Sequence, residues 1–108
     1  MIYWGYLGLA IVFEVIGTLS LKYASVNNSP IYSTIMGVAY VISFTLLYFA
    51  IKKIDIGIAY AVWAGMGTAL IAILGVFVFN EVMNVAKAFF ITCIIVGAVG
   101  LKFMSGGH

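Results

Sequence analysis

Four long apolar runs divide the chain, at residues 2 to about 21, 30–51, 56–80 and 86 to about 104, with short polar or charged turns between them. Each run is close to the roughly 20 residues that a helix rising 1.5 Å per residue needs to cross a bilayer. Tyr3, Trp4 and Tyr6 stand near the start of the first run, where amphipathic rings favour the membrane interface. Lys22 and Tyr23 end that run, and residues 24–29 form the first loop, with Ser29 predicted as an N-cap and Pro30 at the first helical position. Lys52, Lys53 and Asp55 mark the second turn, and residues 81–85 the third. Residues 105–108 read as a frayed tail whose His108 is solvated and inert. The predicted fold is an all-α integral membrane protein, one four-helix transmembrane domain over residues 1–108.

Composition strengthens this picture. Hydrophobic residues make up 66% of the 108 positions and charged residues only 7%, against about a quarter in soluble domains. Lys22, Lys52, Lys53, Asp55, Glu81, Lys87 and Lys102 all fall where apolar runs meet turns, the lysines near the ends of the fourth run placed to snorkel. No lysine or arginine precedes Lys22 and no small-residue cleavage pattern follows the first run, so that segment is expected to be retained. The net charge of +2 is spread over helix ends, which gives no nucleic-acid patch. The sequence has no Ser/His/Asp set, no phosphate-cradling glycine loop and no Cys/His pair, so no enzyme chemistry, metal site or cofactor is expected. The single cysteine, Cys93, reads as a small buried packing residue.

Glu14 is the exception to the charge pattern, because it lies in the middle of the first run. A charge at membrane depth is costly, so the acid is expected to face a partner helix, a cavity or a bound cation. On a helix it shares a face with Leu7, Ala10, Ile11, Gly17, Thr18 and Leu21, several of them small enough to leave room beside the carboxyl group. One reading is a structural acid, protonated and hydrogen-bonded to a neighbouring helix. The other is a site that holds a proton and a cation in turn.

Two further spans offer companions. Tyr60 and Trp63 share a face of the third span, and aromatic faces attract organic cations by about 2 kcal/mol or more when dry. Gly65 and Gly67 mark a flexible point or hinge within the same span. Tyr40 and Ser43 share a face of the second span, able to hydrogen-bond a carboxylate or a substrate, or else their own helix backbone.

Four helices enclose little space, so a walled site is more easily built by two copies that bring two Glu14 carboxylates together. Lys52, Lys53 and Lys102 fall on one side of the membrane and Lys22 and Lys87 on the other, almost no positive-inside bias. Two oppositely inserted copies would form an antiparallel dimer suited to alternating access. A partner subunit or the insertion machinery would instead fix one orientation.

The run from Ala10 through Glu14 to Thr18 with Lys22, together with Gly57, Tyr60, Trp63, Gly65 and Gly67, resembles the small multidrug resistance family over essentially the whole chain. The resemblance implies a four-helix protomer, an antiparallel dimer in the bacterial inner membrane, and export of organic cations in exchange for protons. In that pattern Glu14 binds proton and substrate competitively, with Tyr40, Tyr60 and Trp63 around it. Gly17 and Thr18 after the acid resemble the drug-exporting branch, and the tryptophan typical of guanidinium exporters is absent. Tyr3, Trp4, residues 17–26 and Glu81 resemble one half of the paired polyamine exporters, a heterodimer. That half often carries an acid where this chain has Ala64. In the fourth span the family's first dimer-contact glycine is replaced by Phe90, so Cys93, Gly97 and Gly100 are expected to make the dimer contact. A cation channel built on the same acid, or a regulator that does not transport, are the other classes left open.

Overall fold

The structure, a computed structural model, describes residues 2–105; Met1 and the tail from Gly106 to His108, including the expected inert histidine, lie outside the described residues. The chain forms four helices, α1 (Ile2–Asn27), α2 (Pro30–Ala50), α3 (Ile56–Val78) and α4 (Val85–Ser105), and no strand among the described residues. All four are long and apolar enough to cross a membrane.

The helix ends show where local chemistry overrides the hydropathy pattern. α1 does not stop at Lys22 and Tyr23 but runs on to Asn27, because nothing from Ala24 to Val26 breaks a helix. Both residues find partners at the bundle surface. Lys22 Nζ lies 5.8 Å from the Phe79 ring centroid, and the Tyr23 ring lies 5.1 Å from Tyr32 and 5.0 Å from Phe79. The stop comes from Asn28, in the left-handed region at φ 50°, followed by Pro30 at the start of α2. Ser29 occupies the expected cap position, yet its hydroxyl makes no cap bond; its carbonyl instead accepts from the Ser33 backbone N–H and hydroxyl. Pro30 has no N–H to cap, which removes one of the donors a cap would serve.

The second turn is pinned by Ile54, buried, whose N–H donates to the Ala50 carbonyl. α3 ends where Asn80 takes φ 56°, and the N–H groups of Phe79 and Glu81 both turn back to the Gly75 carbonyl. α4 starts on a side-chain cap that the expected turn did not reveal: Asn84 Oδ1 accepts from the Lys87 N–H at 2.8 Å.

α1 is the central helix, packed most extensively on α2 and also on α3, while α4 rests on α3. Leu7, Ile11 and Val15 from α1 meet Ala59 and Val62 of α3 and Ala98 of α4 in one apolar cluster. Outward faces carry exposed apolar residues such as Val41, Phe77, Val85 and Phe103, as a lipid-facing bundle requires. Cys93 corrects the expectation of a buried packing residue: α4 turns Ile91 and Ala98 inward, which puts Cys93 on the exposed side.

Candidate functional site

Glu14 sits half-buried at the middle of α1, where α1 meets both α2 and α3. The two carboxyl oxygens have different surroundings. Oε1 accepts from the Thr18 hydroxyl at 3.3 Å, one helical turn along the same helix. Thr18 Oγ1 is in turn 2.8 Å from the Tyr40 hydroxyl of α2. When Thr18 donates to the carboxylate, Tyr40 donates to Thr18, so the carboxylate stands at the end of a chain of two hydroxyls. Oε2 is buried, has no hydrogen-bond partner among the described residues, and lies against Gly67 of α3.

Two glycines make this arrangement possible. A Cβ at Gly67 would stand 2.7 Å from Glu14 Oε2 and 3.2 Å from its carboxyl carbon. A Cβ at Gly17 would stand 2.8 Å from the Tyr40 ring, which therefore lies across α1 where a side chain is missing. α3 is helical without interruption through Gly65 and Gly67, and Gly65 faces Ile94 and Ala98 of α4. The space these glycines leave is filled by a neighbour's side chain in each case.

The second tier of the site is a polar bridge between helices. Ser43 is fully buried, and its hydroxyl donates to the Ala10 carbonyl of α1 at 2.6 Å rather than to its own helix. The same hydroxyl accepts from Trp63 Nε1 at 3.4 Å, which ties the indole of α3 to α2. Ala10, itself buried, allows the close approach that this bond needs. Ser43 thus orients Trp63, and its position gives it no free face for a ligand.

Trp63 is flanked by Tyr60 at 5.6 Å and Phe44 at 5.4 Å between ring centroids, both tilted pairs. Glu14, Tyr40, Phe44 and Trp63 line an open cavity of about 240 Å³. Phe44 is a wall residue that the sequence reading did not single out, although its position four residues after Tyr40 puts both on one face of α2. Tyr60, 59% exposed, projects beside this wall. Leu21, placed on the Glu14 face by helix spacing, lies half-exposed further along α1 and lines a different cavity.

Cys93, Gly97 and Gly100 lie together on the outer side of α4, exposed, and among the described residues a Cβ built at either glycine meets nothing within 4 Å beyond its own stretch of helix. An aromatic chamber wall with one half-buried acid, open on one side and carried on membrane-length helices, is suited to holding a small molecule within the membrane. The model of the family described as Small Multidrug Resistance protein matches residues 2–94. The chain belongs to that family. It is a multi-pass membrane transporter for the efflux of small molecules, and this family's transporters act as oligomers. The match ends inside α4, so Glu14, Tyr40, Trp63 and Gly67 all lie within it while Gly97 and Gly100 lie beyond.

Proposed function

We propose that this small multidrug resistance protein is a proton-coupled antiporter that exports aromatic and quaternary ammonium cations across the bacterial inner membrane. The observation that carries this reading is the asymmetry around Glu14: the Thr18 hydroxyl, itself bonded to Tyr40, on one carboxyl oxygen, and an aromatic chamber, open on one side, beside the carboxyl group. With Glu14 charged, the carboxylate offers the counter-charge, and the faces of Trp63, Tyr60 and Phe44 offer cation–π contacts of about 2 kcal/mol where water is excluded. With Glu14 protonated, the counter-charge is gone and the cation leaves. Substrate and proton therefore load the same group in turn, and each shifts the carrier between its two open states.

The chamber also supports a dimer. Its roughly 240 Å³ falls below the ~300–1,000 Å³ of ordinary ligand pockets, and two facing copies would reach about 480 Å³, within that range. An antiparallel pair, joined through Cys93, Gly97 and Gly100 of α4, would present the same chamber alternately to each side of the membrane. Ala64, exposed one residue after Trp63, leaves Glu14 as the single acid of each chamber wall, which favours monovalent organic cations over polyamines.

Competition fixes the pH dependence. At pH values where Glu14 is mostly protonated, the apparent cation affinity falls about tenfold per pH unit for each proton displaced. The test is transport of a fluorescent aromatic cation into proteoliposomes driven by a pH gradient, with wild type and Glu14→Gln compared. Gln is expected to abolish coupled transport while the protein remains folded, and full pH-driven transport by that variant would overturn the reading.

A further inference from the structure

A second cavity is larger than the aromatic chamber. It measures about 430 Å³ and lies between α1 and α3 at the end of the bundle that carries the connections after Asn27 and Val78. Thr18, Lys22 and Ser25 supply the polar strip of its α1 wall, beside Leu19 and Leu21, along two helical turns, or about 10 Å of axial length. Gly75 and Phe79 supply the facing wall, and Glu81, whose carboxylate folds back onto Gly75, lies at its edge. The space is roomy enough for water, and its four polar side chains stand among the apolar Leu19, Leu21 and Ile71 of the lining.

One residue joins this cavity to the acid. Thr18 lines the cavity and is also the hydroxyl that donates to Glu14 Oε1. Glu14 itself lines the aromatic chamber and is not part of this second lining. On the reading above, in which Glu14 takes proton and cation in turn, the two guests then have separate approaches. We propose that the α1–α3 cavity is the proton port of this transporter and that Thr18 is the relay at its inner end.

The step balances within the groups present. A hydronium in the port passes a proton to Thr18 Oγ1 while the hydroxyl's own proton moves to Glu14 Oε1. Water and an intact threonine remain, and the carboxylate has become a carboxylic acid; release runs the same path backwards. Tyr40 from α2 holds the Thr18 hydroxyl in line, Gly67 of α3 brings no titratable group to Glu14, and Lys22 and Glu81 are the charged groups of the port. Thr18 acts through Glu14 and is a positioning and relay residue.

The experiment follows the carboxylic C=O infrared band of Glu14 in purified protein after a rapid pH jump, without any substrate. Thr18→Val, which removes the hydroxyl and keeps the shape, is expected to slow the appearance of the band by about tenfold or more, and Thr18→Ser to restore the rate. Ser25→Phe, which plugs the outer port, is expected to slow the band while leaving its final extent at each pH unchanged. Wild-type rates in both Thr18→Val and Ser25→Phe, or a serine variant no faster than valine, would overturn the port. Glu14→Gln separates this from the underlying reading: a band change that persists in that variant refutes the role given to Glu14, not the port alone.

Discussion

Gly67→Ala puts one methyl group against the carboxyl group on which the mechanism depends. The added Cβ would lie 2.7 Å from Glu14 Oε2, whereas ordinary contact begins at about 3.4 Å, so the carboxyl group must move by about 0.7 Å. Thr18 Oγ1 is already 3.3 Å from Oε1, a long hydrogen bond, and a shift of that size away from α3 either breaks it or turns the carboxylate out of the chamber wall. Loss of a hydrogen bond to a charged group costs about 1.5–3 kcal/mol, or roughly tenfold to a hundredfold in the affinity of a cation that needs this carboxylate in place. The fold should not suffer, because alanine is the better helix former by about 1 kcal/mol. The assay is equilibrium binding of an aromatic cation to purified protein at high pH, with a thermal melt alongside. A variant that binds within threefold of wild type would show that the clearance at Gly67 has no part in loading the site.

Other consequences follow from the bridge and the outer face. Ser43→Ala removes the bond to the Ala10 carbonyl and the acceptor for Trp63 Nε1, and is expected to lower stability by about 1 kcal/mol and weaken aromatic cations more than small aliphatic ones, read by a thermal melt and by competition binding. Cys93 stands near mid-height of α4, so two antiparallel copies meeting on that face should form a disulfide-linked dimer under mild oxidation in membranes, and Gly97→Leu should prevent it. A protein that stays monomeric on denaturing gels under oxidation would place the dimer contact elsewhere.

The spans were legible in the sequence because so few residues are charged and because all but Glu14 fall where the apolar runs give way to polar residues, which left little freedom in placing the helices. Glu14 itself was legible for the same reason, as the one acid that hydropathy could not explain. What the pattern did not carry was how the helices are rotated and staggered against one another. Helix spacing placed Thr18 beside Glu14 but gave no sign that Tyr40 would reach Thr18 across α1–α2. It left open whether Ser43 bonds its own helix or a ligand, when it bonds a neighbouring backbone. The glycine pair of α3 suggested a hinge, and Gly67 in this structure supplies clearance for a carboxylate, a property that depends on which α1 residue arrives opposite it. The extension of α1 to Asn27 was hidden because Lys22 and Tyr23 look like a span end, and only their partner Phe79, from the end of α3, shows how a helix continues through them.

The Phe79 end of α3 also bears on how Glu14 would take a proton and a cation in turn under the proposed mechanism. Glu14 and the Phe79–Glu81 segment are linked along α3 by two glycines eight residues apart, each with a carboxylate lying against it: Glu14 on Gly67 and Glu81 on Gly75. Eight residues of helix amount to about 12 Å, which places the port entrance well away from the aromatic chamber and leaves Thr18 between them. On the proposed mechanism a cation would load from the chamber side, whereas a proton from the port would need only the Thr18 hydroxyl to reach Oε1, and a hydroxyl passes protons but no larger ion. On this proposal the selectivity between the two approaches would lie in a side chain one turn from the acid. A transporter that admitted both guests through the chamber would have to clear the cation before each proton could enter, and separate approaches remove that constraint.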